Sequence, residues 1–171
     1  MSFKPINWLI SLIWCACAAI LFVAKPALAQ QQSAYRYTLP AGWTSSPDAS
    51  ADTLVPSAEP AGTVQALLIA PKPLEPNFEA QFEAERKALE AHWGLNAAQP
   101  VAPQRGRSGA GPYAAYFASY ASGGGPRYMS FLAVGQQGKF SLLVFVSATD
   151  DAFNRLAPAI TQMWQGLQVN P

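Results

Sequence analysis

Two guanidinium groups two residues apart, Arg105 and Arg107, stand in the stretch PQRGRSGAGP. Each presents paired N–H donors under a permanent charge, so together they suit a carboxylate, a phosphate or an acidic partner. The bland alternative is solvated loop charge. The surrounding segment from Gly94 to Gly111 is rich in Pro, Gly and Ala and reads as one long loop, a type of segment that is usually functional or disordered. Arg105 and Arg107 are therefore the candidate partner-binding residues. Tyr113, Tyr116, Tyr120 and Tyr128 follow closely; those that face solvent would extend the patch, and the rest would pack a sheet.

Other chemistry is sparse. His92 is the single histidine. It stands one seven-residue repeat beyond Glu85 and would share a helix flank with it. It reads either as a hydrolase base or as a filler or last-turn cation at a helix C-terminus. Gly106-Arg107-Ser108-Gly109-Ala110 lacks the second glycine of a nucleophile elbow and has no strand running sharply into a helix. Gly135 to Lys139 is too short for a phosphate loop and is accounted for by a hairpin turn. Zinc or copper would need more than one histidine and scattered carboxylates, and Asp48 and Asp52 lack the alternating ligands of a calcium loop. No catalytic residue, cofactor-binding residue or metal ligand is assigned, and no cofactor is expected.

The N-terminus carries an address. Lys4 precedes an uncharged apolar run from Ile6 to Ala24, and Ala27-Leu28-Ala29 supplies the small residues of a signal-peptidase site, with cleavage before Gln30. Pro26 breaks the apolar helix just ahead of that site. The alternative is an uncleaved anchor, since the run approaches bilayer-spanning length. Cys15 and Cys17 both lie in the removed part, so the exported chain would be cysteine-free, without disulfides, a thiol nucleophile or Cys-ligated zinc. Taking Lys4 and Lys25 from the eleven Lys and Arg leaves nine, against ten Asp and Glu. No basic face of the kind that binds nucleic acid results. The expected location is periplasmic or extracellular, with membrane anchoring through the N-terminus as the alternative.

Residues 30–34 read as a flexible leader and 35–171 as one globular domain. Alternation predicts a strand at Tyr35–Leu39, then a loop from Thr44 to Ser50 and a short strand at Asp52–Val55. Thr63–Ala70 is a buried strand ended by Pro71, Pro73 and Pro76. Asn77 caps a helix running to about Trp93, with Gly94 as its stop. Its apolar arc holds Phe78, Phe82, Leu89 and Trp93. Glu79, Glu83, Arg86, Lys87 and Glu90 lie opposite as a solvated face with i,i+4 pairs Glu83–Lys87 and Arg86–Glu90. Three strands, 113–120, 127–134 and 140–147, form an antiparallel meander. Thr149 then caps a second helix striped by Phe153, Leu156, Ile160, Met163, Trp164 and Leu167, in which Pro158 makes a kink or begins a second segment. The predicted class is α+β: a mostly antiparallel sheet of about six strands with two principal helices packed on it.

Tyr35-x-Tyr37-x-Leu39-Pro40-x-Gly42-Trp43, this order of elements and the aromatic-rich final helix together resemble the PsbP-like α/β/α sandwiches. That group includes an extrinsic protein of the oxygen-evolving complex, a Ran-binding import factor and DcrB-like bacterial envelope proteins. The resemblance covers most of Tyr35 to Leu167. It implies a non-enzymatic binding or accessory module and supplies no catalytic residues. The expected role is an exported accessory protein of the bacterial envelope with a protein partner. One alternative is a carrier of a small apolar ligand held between the sheet and the helix of Phe78 to Trp93; another is a hydrolase using His92.

Overall fold

In the two longest apolar stretches nearly every residue is buried, on both faces, so the sheet they form must be covered on both sides. The computed structural model describes residues 34–97, 102–121 and 125–170. The signal-peptidase residues Ala27, Ala29 and Gln30, and the leader up to residue 33, lie outside the described residues. The two stretches are β8 (Arg127–Gln136) and β9 (Lys139–Ser147). Before them come β1 (Tyr35–Arg36), β2 (Trp43–Pro47), β3 (Ala51–Pro56), β4 (Val64–Pro73), α1 (Phe78–His92), β5 (Asn96–Ala97), β6 (Gln104–Ser108) and β7 (Gly111–Ala121). After them come α2 (Asp150–Gln165) and β10 (Gln168–Val169).

Among the described residues the main sheet has eight strands in the order β2-β3-β4-β9-β8-β7-β5, with β6 also pairing β7, and each pairing is antiparallel. The expected meander is β7-β8-β9. The β8–β9 turn is a two-residue hairpin in which Gln137 and Gly138 have φ of 50° and 70°, the left-handed pair that suits the twist of adjoining strands. One face of the sheet buries Phe131, Phe140, Leu142 and Val144 with Phe78 and Phe82 of α1. The other buries Leu54, Leu68, Leu143 and Phe145 with Phe153, Ile160 and Met163 of α2. The result is an α/β/α sandwich.

Both helix starts follow from their capping residues. Asn77 Oδ1 accepts from Ala80 N–H at 3.0 Å, and Thr149 Oγ1 from Ala152 N–H at 3.3 Å, with Asp150 and Asp151 in the first turn. Gly94 follows α1 with φ of 63°, a conformation that costs other residues more. Helix α2 runs unbroken through Pro158, which is exposed. A second segment does not begin there, because Pro158 lies on the outer face, where the carbonyl that loses its N–H donor can turn to solvent.

Other boundaries differ from expectation for local reasons. Only Tyr35 and Arg36 of the first predicted strand are paired, and with β10. Tyr37 instead turns its hydroxyl to donate to Asp52 Oδ2 at 3.1 Å, with Ser45 Oγ at 2.9 Å. Residues 44–47 belong to the edge strand β2, polar because four of its five residues are exposed; the loop is confined to the turn where Asp48 Oδ1 accepts from Ser50 N–H at 2.6 Å. β4 continues through Pro71 to Pro73 because its ladder to β9 shifts register between Ile69 and Lys72, and proline is tolerated at such irregularities. Leu167 lies beyond the end of α2, yet is buried against the same core. No helix among the described residues is long and apolar enough to cross a membrane.

Candidate functional site

Within the segment read as a loop, Gly94 to Gly111, the part that carries Arg105 and Arg107 is strand β6, hairpinned onto β7 with Ser108 opposite Gly111 and Gln104 opposite Ala115; residues 98–101 of that segment lie outside the described residues. Its Gly and polar content concealed the strand, since an exposed edge needs few apolar side chains. Alternation divides β6 between the two faces. Gln104, Gly106 and Ser108 face α2, whereas Arg105 and Arg107 face α1.

The two arginines share a face but do different things. Arg105 bridges to the helix, with Nη1 3.3 Å from Glu79 Oε2 and Nη2 3.2 Å from Glu83 Oε1. Arg107 is exposed and forms no ion pair among the described residues. Both line a groove of about 750 Å³ at the start of α1, with Leu74, Glu79, Pro112 and Tyr113.

The charged stripe of α1 is more than a solvated face. The Arg86 side chain retains 12% exposure, bonds Glu83 Oε2 at 2.7 Å and also Glu90, and lies over the Tyr116 ring. Tyr120 donates its hydroxyl to Glu90 Oε1 at 2.5 Å. Burial, reinforced by the Glu90 charge, pushes the Tyr120 hydroxyl well above the usual tyrosine range. Glu83 is disfavoured as an anion by burial, but the bonds and charges of Arg86 and Arg105 outweigh this and hold it below the usual carboxylate range. Of the expected i,i+4 pairs, Arg86–Glu90 forms; Glu83 turns to Arg86 and Arg105 rather than Lys87. The inward placement of Arg86 was readable: it stands four residues after Phe82 and three before Leu89, at the rim of the apolar arc.

His92 lies exposed in the last turn of α1. Glu85 is bonded to Lys72 Nζ at 2.6 Å rather than to His92, so the two do not join as a pair. No group of three or more His, Cys, Asp or Glu side chains able to hold a metal occurs among the described residues.

On the α2 side, a cleft of about 470 Å³ opens between the β6–β7 hairpin and the C-terminal half of α2. Tyr113, Leu132, Val134 and Trp164 give it apolar walls, and Gln104, Gln136 and Thr161 uncharged polar ones. Tyr113 and, further along β7, Phe117 remain 40% and 45% exposed. Phe117 meets the Phe153 ring edge-on at 5.5 Å. Tyr116 and Tyr120, by contrast, are buried. Between the sheet and α1, where the carrier alternative places an apolar ligand, Phe78 and Phe82 fill the part nearest the helix start, with Phe78 packed 5.6 Å from Phe140, and a smaller pocket of about 270 Å³ opens at the helix end beside Trp93, Leu95, Met129 and Val146. The larger of these two openings lies on the α2 face, opposite to the one anticipated. Phe117 was missed because alternation alone does not say which end of a sheet a helix leaves uncovered.

These layers and this strand order define a PsbP-like α/β/α sandwich. The resemblance to solved structures is at the level of fold. LpqN of Mycobacterium tuberculosis, involved in cell envelope biogenesis, is 18% identical with a TM-score of 0.56, the match covering 80% of this chain and 83% of that one. Cyanobacterial PsbP from Synechocystis is 11% identical with a TM-score of 0.58, covering 80% and 87%. The Ran-binding protein Mog1p of Saccharomyces cerevisiae is 8% identical with a TM-score of 0.55, covering 80% and 90%. No protein-family model matches the sequence, and no curated protein is similar to it at a significant level.

Proposed function

We propose that this protein is exported, cleaved before Gln30, and serves as a non-enzymatic binding or accessory protein of the bacterial envelope, engaging a protein partner at the β6–β7 end of its sheet. The observation that carries this reading is the pair of aromatic side chains, Tyr113 and Phe117, left exposed on one strand beside an uncharged cleft. Exposed aromatic surface of this kind marks interaction sites more often than structural necessity. Support comes from the use of the same sandwich by a Ran-binding protein and by a protein of envelope biogenesis. A photo-crosslinking side chain at position 117 should capture a reproducible envelope protein in cells. Equal capture at the exposed but remote position 55 would count against it.

The second reading, a carrier of a small apolar molecule, is favoured by the cleft itself. Its volume lies within the roughly 300–1,000 Å³ typical of ligand sites, and its lining is uncharged. Native mass spectrometry of gently purified protein should then show an added neutral mass that Trp164→Ala abolishes.

A further inference from the structure

Among the described residues β6 is paired on one side alone, to β7. Pro112 has no N–H, so the opposed pair Arg107 and Pro112 cannot exchange two backbone bonds. Opposed residues in an antiparallel ladder alternate between exchanging both bonds and neither. Gly106 with Tyr113 is therefore an exchanging pair, and Arg105 with Ala114 a non-exchanging one. The N–H and C=O groups of Arg105 and Arg107 accordingly point away from β7, and among the described residues no other strand pairs with β6.

Both faces flanking that edge carry recognition chemistry. On the α1 face stand the side chains of Arg105, already engaged by Glu79 and Glu83, and Arg107, which is not. On the α2 face the Tyr113 ring lies across Gly106, so closely that a Cβ on Gly106 would come within 2.8 Å of it. A second copy of this chain is a poor occupant, because antiparallel pairing about Gly106 would oppose arginine to arginine. An acidic strand avoids that opposition and meets the guanidinium of Arg107, in a groove that Glu75 and Glu79 also line, Glu79 being engaged by Arg105.

We propose that β6 accepts an extended segment of a different protein as an added antiparallel strand, with acidic side chains opposite Arg107 and apolar ones against Tyr113. This rests on the binding reading above and names its mode: backbone bonds to Arg105 and Arg107 give affinity, and the alternating side chains give specificity.

The test uses the purified protein and a capped heptapeptide alternating glutamate with valine and phenylalanine, with a lysine-for-glutamate counterpart as control. Amide chemical shifts should move at Arg105 and Arg107, and only with the acidic peptide. Arg107→Gln should weaken binding several-fold and flatten its salt dependence. Arg107→Pro, which removes an outward N–H and leaves the β6–β7 bonds intact, should weaken it further, to about tenfold. An unchanged melting transition would show that both variants fold. Failure of the acidic peptide to bind, equal binding of the lysine peptide, indifference to Arg107→Pro, or a dimer that Arg107→Pro dissociates would each overturn the proposal. Partner capture at position 117 that persists in Arg107→Pro would remove strand addition while leaving the binding function standing. Loss of capture in wild type would remove that function itself.

Discussion

The guanidinium carbon of Arg86 lies 4.3 Å from the centre of the Tyr116 ring. That contact couples helix to sheet at the place where the candidate surface is mounted. Arg86 also bonds Glu83 and Glu90, Glu83 reaches Arg105 on β6, and Glu90 accepts from Tyr120 on β7. The edge strand is thus tied to α1 by charge as well as by its backbone ladder.

Removing the centre of this network should be costly. Arg86→Ala leaves Glu90 and Tyr120 facing each other with the cation gone, and a loss of about 2–4 kcal/mol is expected in denaturant unfolding. A double-mutant cycle with Glu90→Gln should return a coupling of about 1–3 kcal/mol. Additive losses would show that the pair is only a surface contact.

Stability should fall at both pH extremes. Glu83 titrates lower in the folded than in the unfolded chain. Its contribution is therefore present above the ordinary carboxylate range and is lost as acid protonates the folded form. The tyrosines work in the opposite direction. Burial pushes the Tyr35 hydroxyl up to about 12, and it donates to Ile69 O at 2.6 Å; Tyr120 is raised as well. The unfolded chain ionises first, so stability declines above about pH 10, by roughly 1.4 kcal/mol per pH unit for each tyrosine until the folded form also ionises. Tyr35→Phe should reduce that alkaline slope in pH-dependent unfolding. An unchanged slope would contradict the assignment.

Two glycines of the hairpin should respond very differently to alanine. At Gly106 the atoms nearest the new Cβ all belong to the far end of the partly exposed Tyr113 ring, which can swing aside. A cost below about 1 kcal/mol is expected. At Gly111, φ is +143° and a Cβ would stand 1.9 Å from the carbonyl oxygen of Gly135 on β8. That clash is with backbone, and Gly111→Ala should cost several kcal/mol or uncouple the hairpin. Thermal unfolding of the two variants side by side distinguishes them, and equal losses would refute the hairpin geometry.

Export makes its own prediction. The intact mass of protein recovered from the envelope fraction should correspond to a chain beginning at Gln30. A mass retaining Met1 through Ala29 would instead establish the anchor.

Patterns that depend on burial were legible in the chain: the strands at Tyr113, Arg127 and Phe140, the caps at Asn77 and Thr149, and the aromatic stripe of α2. Exposed strands were not. β2 and β6 bury little, so their composition is that of loops, and only pairing with β3 and β7 makes them strands. Arg105 and Arg107 were singled out as a pair on a Gly-rich loop, but nothing local announced that they would share one face of a strand, or that Glu79 and Glu83, more than twenty residues earlier, would engage the first and leave the second. Phe117 was hidden for a related reason. Its exposure depends on where α2 stops covering the sheet, a fact of tertiary placement.

The most direct test of the binding role is photo-crosslinking in cells from position 117, with position 55 as the matched exposed control. The expected result is a discrete, reproducible envelope protein joined at 117 and absent at 55. No adduct at 117, or the same adducts at both positions, would contradict it.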